Sequence, residues 1–443
     1  MIFKRKIYNQ ILQWKQESNG KTALLIEGAR RVGKSTLVEE FAKSEYDSYI
    51  LIDFSIVPPG VKDLFKDMSD LNYLFLQLQL QYHVELKLRK SIIIFDEVQL
   101  CPLARQAIKA LVKDGRYDYI ETGSLISIKK NVRDILIPSE ERKLSMYPMD
   151  YEEFSWAVGN EINWNLLQDI FCSKHPLGDA VHRQLMRDFR LYMLVGGMPQ
   201  AVNEYIQTNN LKRVDDVKRD ILNLYEDDFR KIDGTGKLSL LFDSIPAQLN
   251  KNASRYQVSN VLNNERAGNV LERISELQDS KTVLVSYHAN APGVGMAGNK
   301  DLTRFKLFLA DTGLFVTLAF KDKKFTENSI YTKLLNDKLR ANLGYVYENA
   351  VAQLLASKGD ELYYYTFLNE KTRRNYEIDF LLARQHKICP IEVKSSGYKT
   401  HASLDAFYKK FSSQILQRYL LYTKDLRKEE DILCMPIYMA ALL

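Results

Sequence analysis

The sequence predicts an α/β protein whose first part is built on a parallel β-sheet. Short apolar runs suited to buried strands recur between residues 22 and 124, and segments with the apolar spacing of helices separate them. Strands that alternate with helices in this way usually form a parallel sheet covered by helices. The runs are TALLIE (22–27), YILIDFS (49–55), SIIIFDEVQ (91–99) and YDYIETGS (117–124).

The length and composition indicate a globular protein with several domains. At 443 residues the chain exceeds one ordinary hydrophobic core, and a typical size of about 150 residues per domain suggests about three domains. Hydrophobic residues make up 46% and charged residues 27%, which excludes a disordered or fibrous protein. The formal net charge of +6 permits a nucleic-acid partner without requiring one.

Two features predict a cytoplasmic protein with no membrane association. The amino-terminal MIFKRKIYNQILQWKQ interrupts its apolar residues with charges, unlike a signal peptide, and no apolar run approaches membrane-spanning length. The four cysteines, at positions 101, 172, 389 and 434, form no C-x-x-C pair, as expected for reduced thiols. The same spacing argues against a zinc site.

Residues 28–35 read Gly-Ala-Arg-Arg-Val-Gly-Lys-Ser, the G-x-x-x-x-G-K-S pattern of a phosphate-binding P-loop. An apolar run precedes this segment and helical spacing follows it, so strand, loop and helix arrive in the required order. In such a loop the backbone N–H groups surround phosphate oxygens, the lysine reaches the β- and γ-phosphates, and the serine hydroxyl binds Mg²⁺. The residues predicted to bind ATP and Mg²⁺ are Gly28, Ala29, Arg30, Arg31, Val32, Gly33, Lys34, Ser35 and Thr36.

The next strands end in residues suited to ATP hydrolysis. Asp96 is predicted to hold the Mg²⁺ shell, and Glu97 to polarise the attacking water. Thr122 is the predicted sensor of the γ-phosphate, with Ser124 as the alternative, and Asp53 is a candidate supporting residue. Buried strands also end in solvated Asp-Glu pairs by chance, and Ser124 also suits a helix N-cap. The P-loop favours the catalytic interpretation of Asp96 and Glu97.

Four segments, GARRVGKST, IIIFDEVQ, IETGSL and YPMDYEEF, resemble the archaeal-type AAA+ ATPases found in archaea and bacteria. This resemblance spans roughly residues 20–155. It implies a P-loop parallel-sheet core, a helical lid, a winged helix and a restriction-endonuclease-like tail. On this basis we predict the ATPase core at 1–150, the lid at 151–235, the winged helix at 236–312 and the nuclease-like domain at 313–443.

The resemblance also implies a homo-oligomer, because AAA+ sites usually receive an arginine from a neighbouring subunit. Arg133 and Arg142 are the candidates for this arginine. No second arginine sensor is evident in the sequence.

The predicted winged helix makes DNA a candidate partner. The order is helix, helix, helix, strand, with Phe305–Leu309 as the returning strand of a hairpin. Either the helix that starts at Glu265 enters a DNA major groove, or the fold is only a packing module. This helix has three glutamates and only two arginines, Arg266 and Arg273, whereas phosphate contacts favour a net positive charge.

Charged residues interrupt the apolar runs of the carboxy-terminal segment. Asp379 and Glu392 lie in consecutive strand-like runs, and Lys394 shares a face with Glu392 because strand side chains alternate. The pattern resembles the PD-(D/E)xK nuclease superfamily, with Glu348 matching its further acidic residue, although Ile378 replaces the proline. The resemblance implies that Glu348, Asp379 and Glu392 bind Mg²⁺ and that Lys394 activates water.

Two functions follow from these predictions. The first is an ATPase coupled to DNA binding and to Mg²⁺-dependent cleavage by the tail. The alternative is an ATP-dependent signalling or assembly switch whose nuclease-like tail is a non-cleaving scaffold. Convergence of Glu348, Asp379, Glu392 and Lys394 on one cluster is expected only for the first.

Overall fold

The computed structural model describes residues 1–123, 138–160, 164–251, 254–262, 265, 267–321, 331, 335, 344–370 and 372–443. The chain divides into two compact units. The first contains Met1–Tyr147 and Asp279–Lys281, and the second contains Pro148–Gln278 and Thr282–Leu443. Among the described residues, no helix combines the length and the apolar character needed to cross a bilayer.

The first unit is built on a five-stranded sheet in the order β2-β3-β4-β1-β5, and all neighbouring pairs are parallel. Strands β1, β3 and β4 are buried along their whole length, as expected for a parallel sheet covered on both faces. The predicted α/β parallel-sheet core is confirmed. The strands are β1 (Ala23–Gly28), β2 (Ser48–Asp53), β3 (Ser91–Asp96), β4 (Asp118–Gly123) and β5 (Glu141–Met146).

Helices cover both faces of this sheet. Ile94 and Phe95, adjacent on β3, contribute to opposite hydrophobic clusters because strand side chains alternate between faces. Phe41 of α2 lies in the cluster with Ile94, and Phe75 of α3 lies in the cluster with Phe95. The helices are α1 (Ile7–Ser18), α2 (Lys34–Glu45), α3 (Leu71–Tyr82) and α4 (Pro102–Asp114).

The second unit begins with helices, as the periodicity over residues 151–235 predicts. Its first helix has a capping box, in which the Asp150 carboxylate accepts from the backbone N–H of Glu153 while the Glu153 carboxylate accepts from the N–H of Asp150. The helices up to the first strand of this unit are α5 (Tyr151–Ala157), α6 (Trp164–Ser173), α7 (Asp179–Val195), α8 (Pro199–Thr208), α9 (Leu211–Ile232), α10 (Lys237–Asp243), α11 (Ile245–Asn250) and α12 (Ala267–Asp279).

A glycine pair forms the turn between α7 and α8. A Cβ atom on Gly197 would lie 2.1 Å from the carbonyl oxygen of Met149, and one on Gly196 would lie 2.4 Å from Oδ1 of Asp311. The Asp311 carboxylate accepts hydrogen bonds from the N–H groups of Gly197 and Leu314. Any side chain at these positions would push the packed segments apart, so the pair has a structural role.

The rest of the second unit contains an eight-stranded mixed sheet in the order β12-β13-β11-β10-β9-β8-β6-β7. Its strands are β6 (Val283–Ala289), β7 (Lys300–Leu309), β8 (Leu362–Leu368), β9 (Asn375–Arg384), β10 (Lys387–Lys394), β11 (Arg418–Tyr422), β12 (Arg427–Glu429) and β13 (Ile432–Pro436). The helices among them are α13 (Thr312–Ala319), α14 (Gly344–Ser357) and α15 (Ala402–Phe411).

The hairpin predicted to close a winged helix belongs to this larger sheet. Strands β6 and β7 pair antiparallel, as a hairpin requires, but β6 also pairs parallel with β8 from Ser286 to His288. This pairing covers the free edge that an isolated hairpin would expose. The boundary predicted between residues 312 and 313 therefore falls between strands of one sheet. The winged helix and a separate nuclease-like domain stay predictions.

Candidate nucleotide site

The loop between β1 and α2 has the backbone of a phosphate-binding turn. Arg31 has a φ of 68° and Gly33 a φ of 100°, a combination that turns successive N–H groups toward one concave side. Helix α2 begins at Lys34, so its unpaired N–H groups and positive end face the loop. A Cβ atom on Gly28 would lie 2.4 Å from the carbonyl oxygen of Met146, so glycine is required where the loop leaves β1 beside β5.

Lys34 is buried inside this loop. Its Nζ donates to the carbonyl oxygens of Gly28 at 2.9 Å and Ala29 at 3.0 Å. Burial lowers the pKa of Lys34, whereas the carboxylates of Glu97 and Asp96 act in the opposite direction. An ammonium that donates to loop carbonyls is positioned to exchange them for phosphate oxygens. Of the other predicted loop residues, Ala29 and Val32 are buried, and Arg30, Arg31 and Thr36 are exposed.

Asp96 brings two further predicted residues together. Ser35 Oγ donates to Asp96 Oδ1 at 2.9 Å, and Thr122 Oγ1 donates to the same oxygen. The three residues meet because parallel strands end at one edge of the sheet, where α2 also begins. A hydroxyl beside a carboxylate provides the oxygen ligands that Mg²⁺ prefers.

Glu97 follows β3 in a left-handed backbone conformation, with φ 52° and ψ 47°. Non-glycine residues rarely adopt this conformation, which is concentrated at functional sites. Gln99 Nε2 donates to Glu97 Oε2. The sequence analysis missed Gln99 as a partner, and its only signal was its position two residues after Glu97.

The remaining nucleotide-site candidates are not brought to this cluster. Asp53 accepts from the backbone N–H and the hydroxyl of Ser55 at 2.8 and 2.6 Å, which closes a local turn. Arg142 forms a half-exposed ion pair with Glu17 at 2.9 Å. The predictions for Ser124 and Arg133 lie outside the described residues.

The parallel sheet, the loop before α2 and the acidic pair after β3 together define the first unit as a P-loop ATPase domain. A family model described as an AAA domain matches residues 20–155, as the motif resemblance predicted. Families described as domains of unknown function, DUF8612 and DUF4143, match residues 186–324 and 343–439. No curated protein matches the chain.

Solved structures with distant similarity include two archaeal proteins. The Walker-type ATPase PABY2304 of Pyrococcus abyssi is 16% identical, with a TM-score of 0.42, over 72% of this chain and 96% of that chain. The ORC1 protein of Aeropyrum pernix, solved in complex with DNA, is 11% identical, with a TM-score of 0.29, over 73% of this chain and 94% of that chain.

A buried charge cluster lies next to the sensor position on β4. Glu121 is fully buried, and its carboxyl lies within hydrogen-bonding reach of the Glu141 carboxylate. Arg105 Nη2 donates to both carboxylate oxygens of Glu141 at 3.1 Å. Burial raises the pKa of Glu121 well above its usual value, and the negative charge of Glu141 raises it further. Arg105 thus pairs with Glu141, and the surroundings of Glu121 favour the neutral form of its carboxyl.

We expect Glu121→Gln to make the stability of the first unit less dependent on pH. A carboxyl with a raised pKa in the folded state stabilises that state fully below its unfolded pKa of 4.5, and this contribution is lost as pH rises. The free energy of unfolding of the wild type, measured with urea, should therefore fall as the pH rises above 4.5. The decrease should be smaller for Glu121→Gln. Glu39→Gln, at a partly exposed carboxylate of α2, is the control, and equal pH slopes for Glu121→Gln and the wild type would contradict the prediction.

The predicted tail residues form two groups in the second unit, with Glu348 on α14 and the others on strands of its sheet. Asp379 Oδ2 accepts from the backbone N–H of Val393 at 2.7 Å. Burial raises the pKa of Asp379, and the nearby negative charge of Glu348 raises it further. Lys394 Nζ lies 3.1 Å from Glu392 Oε1, so these two residues share a face as predicted. Burial raises the pKa of Glu392, which the charges of Lys394 and His401 lower.

An irregularity in β9 separates the two groups. Tyr363 pairs with Leu381 and Tyr365 with Ile378, so β9 contains one more residue than β8 over this stretch. Such a bulge shifts the alternation of side chains, and Ile378 and Leu381 indeed pack in one hydrophobic cluster although three residues apart. Asp379 is thereby grouped with Glu348 rather than with Glu392.

The single metal site predicted for the tail is not found. Among the residues that the structure describes, no group of three or more His, Cys, Asp or Glu side chains is placed to hold a metal ion. Glu348, Asp379 and Glu392 therefore do not converge on one ion, because the bulge in β9 re-aims Asp379.

Lys306 of β7 supplies the cation for the Asp379 group, and the sequence analysis missed it. Its Nζ contacts the Glu377 carboxylate and lies 3.6 Å from Glu348 Oε2, with the side chain 6% exposed. Burial lowers the pKa of Lys306, but the carboxylates of Glu377, Glu348 and Asp379 more than offset this effect and raise it. The available signal was a lysine inside the apolar run FKLFL (305–309).

The predicted DNA-recognition helix corresponds to α12. Arg273 Nη1 lies 2.9 Å from Glu265 Oε1, and Arg273 Nε lies 3.6 Å from Asp233 Oδ2. The Arg273 side chain is only 14% exposed, so these internal ion pairs withhold it from a phosphate backbone. The prediction for Arg266 lies outside the described residues.

Proposed function

We propose that the chain is a Mg²⁺-dependent ATPase that acts as an ATP-dependent switch, with a tail that does not cleave nucleic acid. The observation that carries the ATPase part is the meeting of Ser35 and Thr122 on one oxygen of Asp96. This arrangement sits beside a buried lysine on a P-loop, where a nucleoside triphosphate is bound by backbone N–H groups and the lysine.

Each site residue has a role that its contacts support. Ser35 and Asp96 are placed to hold Mg²⁺, which supplies charge neutralisation at the β- and γ-phosphates when bound. Lys34 gives up its contacts with the loop carbonyls for phosphate oxygens. Thr122 shares the Asp96 oxygen and is placed to link the Mg²⁺ ligands to the phosphate end of the site.

Glu97 is the proposed base for the attacking water. The water oxygen forms a bond to the γ-phosphorus while the bond from that phosphorus to the bridging oxygen of ADP breaks, and the water proton passes to the carboxylate. The products are ADP and inorganic phosphate. Gln99 donates to one oxygen of Glu97, which holds the carboxylate in place with its other oxygen available. Phosphate release by the purified chain with Mg²⁺-ATP tests this proposal.

The arrangement of charged side chains in the tail supports the proposal that the tail does not cleave nucleic acid. A hydrolytic metal site needs carboxylates that share an ion, with a lysine beside the attacked phosphate. Here the Lys306 ammonium lies among Glu377, Glu348 and Asp379, while Lys394 is paired with Glu392 in the other group. Each group thus has its own ammonium beside its carboxylates, as in a structural network, although Oε2 of Glu392 has no hydrogen-bond partner among the described residues.

We expect no cleavage when the purified chain is incubated with plasmid DNA or single-stranded RNA and Mg²⁺ or Mn²⁺, with or without ATP. The reason is that the Asp379 and Glu392 groups do not share an ion site. Asp379→Asn, purified in the same way, is the control variant, because a contaminating nuclease will cut equally in both samples. Cleavage by the wild type that Asp379→Asn abolishes would establish a nuclease and overturn the scaffold proposal.

A further inference from the structure

Arg5 precedes the first helix of the chain and lies beside the phosphate-binding loop. It is buried, with 7% of the residue exposed. Its Nη1 donates to the carbonyl oxygen of Val32 at 3.1 Å, and its Nη2 donates to the carbonyl oxygen of Tyr147 at 2.6 Å. A single guanidinium therefore joins the loop to the segment that follows β5.

The packing of α1 brings Arg5 to this position. Ile7, at the start of α1, lies in the same hydrophobic cluster as Val32 and Met146. The planar guanidinium presents its N–H donors in a fixed fork, so it can hold two carbonyl oxygens in one geometry. A lysine ammonium is a compact charge on a flexible stem and fixes two such partners less well.

The contact with Val32 also sets the direction of a backbone N–H group of the loop. A trans peptide unit is planar, so its C=O and N–H bonds point in opposite directions. The Val32 carbonyl and the Gly33 N–H belong to one such unit, and the anchored carbonyl therefore aims the N–H away from Arg5. Because glycine has unusual conformational freedom, the φ of 100° at Gly33 needs an external contact to hold it.

The first residue of the loop contacts the same segment of β5. A Cβ atom on Gly28 would lie 2.4 Å from the carbonyl oxygen of Met146, and these two residues are partners in the β1–β5 register. Strand pairing thus fixes the loop at Gly28, and Arg5 fixes it at Val32. Both attachments lead to residues 146 and 147.

We propose that Arg5 is a positioning residue that holds the P-loop in the form that presents the Gly33 N–H to a phosphate. It acts through the Val32 peptide rather than by contact with the nucleotide. The inference rests on the proposed ATPase function of the P-loop. Since the loop N–H groups bind phosphates in the ground state, loss of Arg5 should weaken ADP and ATP alike.

Calorimetric titration of the wild type, Arg5→Ala and Arg5→Lys with Mg²⁺-ADP and with a non-hydrolysable ATP analogue tests the inference. If the loop without its anchor adopts the binding form about one-tenth of the time, the apparent Kd rises about 10-fold. We expect a rise of about that size for Arg5→Ala with both nucleotides, and little change in kcat at saturating ATP. Arg5→Lys should recover part of the affinity, because it keeps the charge without the fork.

Arg89→Ala is the matched control, because Arg89 also holds the backbone of the first unit. Its guanidinium donates to the carbonyl oxygen of Gly115 at 3.4 Å and pairs with the buried Asp118 at 2.9 Å. Arg89 precedes β3, whereas the loop follows β1 in the same parallel sheet, so the two arginines lie at opposite edges. Its loss should lower stability without changing nucleotide affinity.

Thermal unfolding with and without Mg²⁺-ADP separates binding from folding, because the stabilisation at a fixed ligand concentration depends on Kd. This stabilisation should be smaller in Arg5→Ala and unchanged in Arg89→Ala. Circular dichroism identifies the folded variants, and Arg5→Lys decides the test if Arg5→Ala does not fold. Wild-type affinity in the folded Arg5 variants, or an equal loss in Arg89→Ala, would overturn the inference. A wild type that binds neither nucleotide would instead refute the proposed ATPase function.

Discussion

Lys34→Ala is expected to lose ATP affinity, whereas Glu97→Gln is expected to bind ATP and fail to hydrolyse it. In the proposed mechanism Lys34 contacts the phosphates in the ground state, and a hydrogen bond to a charged group contributes about 1.5–3 kcal/mol, or about 10- to 150-fold in affinity. The proposed role of Glu97 is to act on the water during the reaction, and loss of a general base costs about 10²–10⁴-fold in kcat. Nucleotide titration and phosphate release measure the two effects separately.

The structure also predicts that both variants stay folded. Burial lowers the pKa of Lys34, so the fold disfavours the charged form of this side chain, and the two hydrogen bonds that its removal costs lie in the loop rather than in the hydrophobic core. Lys43→Ala is the matched control on the same helix, because Lys43 is half exposed and forms an ion pair with Glu39 at the surface. Wild-type turnover by Lys34→Ala or Glu97→Gln, with the fold intact, would refute the assigned roles.

Lys306→Met is expected to destabilise the second unit by about 3–5 kcal/mol, the usual result of removing one partner from a buried ion pair. The methionine retains the apolar length of the side chain but leaves Glu377, Glu348 and Asp379 without their ammonium. Urea unfolding followed by circular dichroism measures the loss. Lys231→Met, on an exposed lysine of α9, should cost less than about 1 kcal/mol.

The pH dependence of Lys306→Met identifies the cause of the loss. Burial already raises the pKa values of Glu348 and Asp379, and removal of the ammonium will raise them further. A carboxyl with a raised folded-state pKa stabilises the fold at low pH and loses that contribution as pH rises. The destabilisation should therefore be smaller at acidic pH than at pH 8. A loss that is equal at both pH values would indicate a packing defect instead.

The nucleotide site was largely predictable because its chemistry is local in the sequence. Gly28, Gly33, Lys34 and Ser35 lie within eight residues, and the backbone requirements of a phosphate loop fix their spacing. The short, wholly buried strand β3 also predicts that the Asp96–Glu97 pair lies at the end of a strand, and the structure places Asp96 there, beside Ser35. Gln99 was not predictable, because its contact with Glu97 depends on the left-handed turn between them.

The tail was less predictable because its chemistry depends on pairing between distant strands. The alternation rule placed Glu392 and Lys394 on one face, which their 3.1 Å contact confirms. The rule gives no placement for Asp379 relative to Glu392, because one extra residue in β9 changes the face that Asp379 presents. No local sequence pattern indicates this bulge, because the bulge is defined by the pairing register between β9 and β8.

By itself, the sequence determined the α/β class of the first unit, the phosphate loop and the acidic pair, because strand periodicity, glycine spacing and carboxylate position act over a few residues. The tertiary structure alone decided that Ser35 and Thr122 meet on Asp96, that β6 and β7 join the carboxy-terminal sheet, and that Lys306 neutralises the carboxylates around Asp379. These contacts join residues far apart in the chain, so sheet register and burial of charge determine them.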